Sequence, residues 1–121
     1  MALTAMDLVA AAKQHIREIT PADAQAQLGG LRVLDVREPA EFAAGSLPGA
    51  INIPRGVLEF KIDTVPAFKD DKDSPFLVYC QSGGRSALAA EVLQKLGYAQ
   101  PLSLAGGFKA WTEVGGALAS P

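Results

Sequence analysis

Apolar and polar positions follow two rhythms along this chain, and the changeovers mark out its elements. Residues 4 to 15 carry apolar side chains at helical spacing, and Ile16–Ile19 then reads as a short strand. Thr20 and Pro21 open a second helix that runs to about Leu28, with Asp23 in its first turn. After Gly29 and Gly30, the run Leu31–Val36 is apolar with little alternation, which predicts a strand covered on both faces. Pro39–Ala44 fits one short helix ended by Gly45, and Ala50–Ile53 another strand. The rhythm weakens between Pro54 and Pro75, where Val57–Ile62 reads as a helix and Lys69–Asp73 as a solvated loop. A buried strand at Phe76–Tyr79, an amphipathic helix at Ser86–Leu96 stopped by Gly97, a strand at Pro101–Leu104 and a helix from about Gly107 to Val114 complete the series. Short strands alternating with helices predict an α/β domain with a mainly parallel central sheet flanked by helices.

The chemistry gathers in residues 79 to 86, YCQSGGRS, which hold the only cysteine, Cys80. Cys80 falls at a strand-to-helix turn. Free N–H groups of a glycine-containing turn and of a first helical turn converge on one spot there, with the positive end of the helix dipole. An anion is expected at that spot, and Arg85 adds to a field that favours a thiolate. A free cysteine is often no more than a small buried hydrophobe. Two glycines, an arginine and a helix start within six positions of this one argue for reactivity instead.

Composition narrows the setting. At 121 residues and 49% hydrophobic, the chain can form one ordinary core, so one domain is expected. A net charge of −2 with scattered basic residues offers no stripe for nucleic acid. One cysteine cannot close an intramolecular disulfide, and residues 1 to 7 lack the positive region and long apolar core of a secretory signal. No apolar run approaches the ~20 residues needed to cross a bilayer, so a cytoplasmic protein with no membrane partner is expected.

YCQSGGRS resembles the active-site loop of the rhodanese family of sulfurtransferases. Residues 33 to 54, VLDVREPAEFAAGSLPGAINIP, resemble the family's first characteristic stretch, and Leu104–Trp111 resembles the segment that closes its domains. The similarity runs from about Ile16 to Trp111, with the motifs in the family's order. It implies a single rhodanese-like domain over residues 16–121, preceded by an N-terminal helical extension over residues 1–15. It also implies Cys80 as the nucleophile and Gln81, Ser82, Gly83, Gly84, Arg85 and Ser86 as the substrate-binding loop. Asp35, Arg37 and Glu41 match the family's Asp-x-Arg-x-x-x-Glu-Phe pattern and are expected to give structural support, not to bind a metal. No metal and no organic cofactor is required.

Four residues separate Cys80 from Arg85, one fewer than in the related cysteine phosphatases. The shorter ring has room for a sulfur atom beside the thiolate but crowds a tetrahedral phosphoryl group. The reaction expected is sulfur transfer: Cys80 attacks the outer sulfur of a donor such as thiosulfate, and loop N–H groups from Gln81 to Ser86 hold the resulting persulfide. Cyanide, a small thiol or a protein thiol then accepts the sulfur. The alternatives are a cysteine phosphatase or arsenate reductase on the same scaffold, and a non-catalytic rhodanese-like interaction module. Inactive modules usually lack the cysteine that this chain keeps. Donor, acceptor, pathway and oligomeric state stay open, and the N-terminal helix could pack on a second copy.

Individual roles follow. Arg85 either compensates the thiolate and binds an anionic donor, or pins the loop through carbonyls or a carboxylate. Gly83 and Gly84 supply shape, through positive φ or close backbone approach. Gln81 and Ser82 face the entrance and tune the donor. Ser86 either donates to the sulfur or caps the helix, with the cap as the expected role. Asp35 is expected at a strand end near the mouth, with Arg37 and Glu41 paired across a short helical turn. Ser46 stands where many relatives have histidine, and His15 lies too far in sequence from Cys80 for a Cys/His dyad. Trp111 and Phe108 read as core or rim aromatics, and Arg55 as part of a surface salt bridge.

Overall fold

The computed structural model describes residues 2–119. Seven α-helices and five strands alternate: α1 Ala5–Lys13, β1 Arg17–Ile19, α2 Pro21–Gln27, β2 Arg32–Asp35, α3 Pro39–Ala43, β3 Ala50–Asn52, α4 Leu58–Lys61, α5 Pro66–Lys69, β4 Phe76–Tyr79, α6 Gly84–Lys95, β5 Pro101–Leu104 and α7 Gly107–Glu113. Local chemistry sets several of the starts. The Thr4 hydroxyl accepts from Asp7 N–H while the Asp7 carboxylate accepts from Thr4 N–H, closing a reciprocal cap on α1. Thr20 caps α2 with Pro21 at its first position.

The strands form one parallel sheet in the order β1-β5-β4-β2-β3. Leaving β2 the chain steps outward to β3, and leaving β4 it steps the other way to β5. The carboxyl ends of β2 and β4 therefore flank a crevice, the usual ligand position in such sheets. Side chains of β4 alternate across the sheet. Phe76, Val78 and Cys80 join Leu58 of α4, Phe68 of α5, and Ala89, Ala90 and Leu93 of α6. Leu77 and Tyr79 join Ala24 of α2 and Trp111 of α7 on the opposite face. A third layer forms where Val9 and Ala12 of α1 meet Ala87 on the outer side of α6. No helix among the described residues is long and apolar enough to cross a membrane.

Three elements differ from the sequence expectation. Helix α6 begins at Gly84, two residues before Ser86, because Gly83 at φ 106° turns the chain directly into it. Val57–Ile62 is broken up: a 3-10 turn at Arg55–Val57, the single turn α4, then a second 3-10 turn at Ile62–Thr64. Helix α5 lies where no helix was expected. Its Phe68 ring is fully buried and meets Phe76 edge-on, with centroids 5.2 Å apart. Arg32 holds this segment in place by donating to the carbonyls of Ala67, Asp71 and Ser74 at 2.7, 2.8 and 2.7 Å.

Candidate active site

Cys80 is the first residue beyond β4, on the face covered by α6, and only 1% exposed. Its sulfur is met by the chain that follows it. Gly83 N–H donates to Cys80 Sγ at 3.1 Å, and Ser86 Oγ lies 3.6 Å from it. The left-handed φ of Gly83, a conformation that a residue with Cβ rarely adopts, turns the chain beyond that N–H directly into α6. Gly84, by contrast, has no positive φ and starts the helix, with Val9 of α1 close against it. The first-turn N–H groups of α6 lack carbonyl partners within the helix and add a positive end beside the sulfur. Gln81 and Ser82 are exposed.

Ser86 does not cap the helix. Gly83 occupies the cap position, and Ser86 sits one turn inside, fully buried, with its hydroxyl near the sulfur, the Gly83 carbonyl and Ser103 Oγ.

The loop is backed by the start of α7. Phe108 N–H donates to the Cys80 carbonyl at 2.8 Å and Lys109 N–H to the Gln81 carbonyl at 3.0 Å. Backbone meets backbone here because position 107 has no side chain. A Cβ on Gly107 would lie 2.6 Å from the Cys80 carbonyl oxygen and 2.7 Å from the Gln81 carbonyl, at a φ of 62°. Leu104–Trp111, a closing segment by its motif, thus also supports the loop, and the adjacent Gly106 and Gly107 are the sequence signal of that close approach.

Arg37 and Glu41 do not pair with each other. Arg37, 2% exposed, folds back on Asp35, which has no exposure at all. Its backbone N–H, Nε and Nη2 donate to the Asp35 carboxylate at 2.8 to 3.1 Å, and Nη2 also reaches the Gly45 carbonyl at 2.7 Å. A carboxylate buried at the end of β2 requires a buried counter-charge with its remaining valences filled, which is why the nearer partner wins over Glu41. Tyr79, unnoticed in the sequence, donates its hydroxyl to Asp35 Oδ2 at 2.7 Å and accepts from Leu47 N–H at 3.1 Å. Burial, then the bond to Asp35, pushes the Tyr79 phenol far above its usual range. Asn52 ties the Asp35 and Arg37 carbonyls together at 3.0 and 2.9 Å. The Phe108 ring lies 4.3 Å from the Arg37 guanidinium, and Arg37 Nη1 reaches Gln81 Oε1 at 3.4 Å. The network thus ends on the loop that carries Cys80.

Glu41 pairs instead with Arg85. The guanidinium makes a two-point contact at 2.8 and 3.1 Å, and Glu41 also accepts from Glu38 N–H at 3.0 Å. The Arg85 hydrogen bonds hold the Glu41 carboxyl down at about 2. Of the two readings of Arg85, the pin to a carboxylate is the one the geometry displays. His15 lies apart, beside Glu91, Gln94 and Lys95 at the far end of α6. Trp111 is buried in the core with its indole N–H on the Ala117 carbonyl at 2.8 Å, and Arg55 forms an ion pair with Glu59 at 2.9 Å. Ser46 pairs with Ala119 through backbone bonds of 2.9 and 2.8 Å.

Comparison with known proteins agrees with this architecture. The chain is 35% identical over 89 residues to a sulfurtransferase of Allochromatium vinosum, covering 74% of this chain and 78% of that one. It is 35% identical over 94 residues to a human thiosulfate:glutathione sulfurtransferase, covering 70% and 82%. Among solved structures, a Rhodopseudomonas palustris protein of unknown function, described as a possible tyrosine phosphatase, superposes with a TM-score of 0.89 at 34% identity, covering 98% of this chain and 96% of that one. The rhodanese-like domain model matches residues 20–114, from the start of α2 to the end of α7 and across the whole Cys80 loop, so the chain belongs to the rhodanese-like domain family.

Proposed function

We propose that this chain is a sulfurtransferase that carries a sulfane sulfur as a persulfide on Cys80, taken from a donor such as thiosulfate. The observation that carries the reading is the short ring itself, with Gly83 N–H 3.1 Å from the sulfur of a cysteine that is 1% exposed. So enclosed a sulfur admits a donor end-on, by its terminal atom. The Cys80 thiolate attacks the outer sulfur of thiosulfate; a new S–S bond forms as the old one breaks, and sulfite leaves with the bonding electrons. The persulfide's terminal charge is then held by Gly83 N–H and the start of α6. Cyanide, a small thiol or a protein thiol attacks that terminal sulfur and returns the thiolate. In this scheme Gln81 and Ser82 select the donor, while Asp35, Arg37, Glu41 and Arg85 hold the frame. We further place the reaction in the cytoplasm, in keeping with a lone unpaired cysteine.

The likeness to the Rhodopseudomonas palustris protein favours a second reading, phosphatase chemistry. Against it stand the ring, one residue short of the phosphatase length, and the two-point contact of Arg85 with Glu41, whose negative charge already balances that guanidinium. Intact-mass measurement after incubation with thiosulfate separates the two. The expected result is a gain of one sulfur atom, lost on addition of cyanide or a thiol and absent from C80S. Hydrolysis of an aryl phosphate with no sulfur gained would overturn the proposal.

A further inference from the structure

Strand β5 is covered on both faces, and a strand so placed is ordinarily apolar throughout. Leu102 and Leu104 turn to the face shared with α2 and α7. Ser103, between them, turns to the face of Cys80 and is fully buried. No motif marks this serine, and burying a hydroxyl in such a place is unfavourable unless it is bonded. Its partner is Ser86 Oγ at 2.9 Å, and Ser86 Oγ is the side-chain group 3.6 Å from the Cys80 sulfur.

A hydroxyl has one proton to give and two lone pairs to receive. While Cys80 is a thiol, its S–H donates to Ser86 Oγ and the Ser86 proton goes elsewhere, with the Gly83 carbonyl at 3.3 Å. Once the sulfur is ionised it can only accept, so the Ser86 proton must turn toward it. Ser103 makes that rotation favourable, because its own O–H then donates to Ser86 Oγ and polarises the Ser86 hydroxyl toward the sulfur. Both states are served by rotating hydroxyl hydrogens, with every heavy atom in place.

We propose that Ser103 is a positioning residue for the reactive sulfur: its hydroxyl orients that of Ser86 as a donor to the ionised Cys80. The step it assists rests on the sulfur-transfer reading, whereas its action on the thiolate does not.

The test uses S86A, S103A, the double variant, and the isosteric pair S103T and S103V. Two rates are read for each: alkylation of Cys80 by iodoacetamide, and sulfur uptake from thiosulfate resolved into kcat and KM. S103A is expected to slow alkylation and lower kcat roughly tenfold, the scale of one hydrogen bond to a charged group, with KM unchanged. In the S86A background the same substitution is expected to have no further effect, since Ser103 works only through Ser86. S103T should retain the rates that S103V loses, which decides the matter even where S103A fails to fold. Wild-type rates in S103A and S103V, or losses that multiply with S86A, would overturn the proposal. If wild-type protein gains no sulfur while the alkylation rates follow this pattern, the sulfur-transfer reading falls and the role of Ser103 stands.

Discussion

Arg85 and Glu41, 44 residues apart in the chain, lock the start of α6 to α3 through two parallel bonds of 2.8 and 3.1 Å. Because the folded-state carboxyl lies at about 2, against 4.5 as the reference value, this pair contributes stability that is complete above 4.5 and fades as pH falls toward 2. The contact is about one-third exposed on either side, so solvent screening limits it to about 1 kcal/mol. Urea unfolding of E41Q should show that deficit at pH 7 and a smaller one at pH 3.5.

Glycine substitutions separate the close backbone approach at Gly107 from backbone strain alone, as at Gly49 in the turn before β3. G107A forces a Cβ to within 2.6 Å of the Cys80 carbonyl in addition to a strained φ. G49A imposes only the strain, since φ is 74° and nothing lies within 4 Å. G49A should be destabilised by about 1 kcal/mol with sulfur uptake intact. G107A should lose more stability, and uptake with it, as read by urea unfolding and the intact-mass assay.

Removing one half of the buried pair beneath the loop should be severe. R37M leaves Asp35 charged and enclosed, with a destabilisation of about 3–5 kcal/mol expected. R85M, at the more exposed pair, should be several-fold milder. Equal midpoints in urea for the two variants would contradict the burial argument.

Both tyrosines donate to carboxylates, Tyr79 to Asp35 and Tyr98 to Asp63 at 2.7 Å each, and in both the phenol is pushed well above its usual value near 10, first by burial. The folded state thus holds the phenol protons more tightly than the unfolded one. The stability this gives is intact below 10 and lost as pH rises beyond it. Tyrosinate absorbance should therefore stay flat in the folded protein past pH 10, then rise together with loss of the far-ultraviolet signal.

What could be read from the sequence was whatever is encoded locally. The strand at Phe76–Tyr79 and the Cys80 loop each announce themselves within a dozen residues, the parallel α/β order shows in the alternation of such local elements along the chain, and the family motifs extend the reading. Pairings between distant segments were not legible. Arg37 and Glu41 stand four apart, a spacing that invites an intrahelical pair, yet Arg37 precedes α3 and turns back on Asp35, while Glu41 finds Arg85 across the fold. Helix α5 was hidden because its four residues have no periodicity to show, and its stability comes from Phe68 and the distant Arg32. Ser103 was invisible for the same reason: a serine in a strand has meaning only once Ser86 is seen opposite it.

The parallel sheet also bears on when the thiol becomes special. Parallel neighbours cannot be joined by a tight hairpin, so each pairing waits for a whole crossover to be synthesised and folded. Cys80 leaves the ribosome before β5, the Gly107 approach and the Phe108 and Lys109 amides that seat its loop. A nascent chain ending short of residue 101 has Cys80 without that seat, so under the sulfur-transfer proposal its reactivity arises only after the last strand docks.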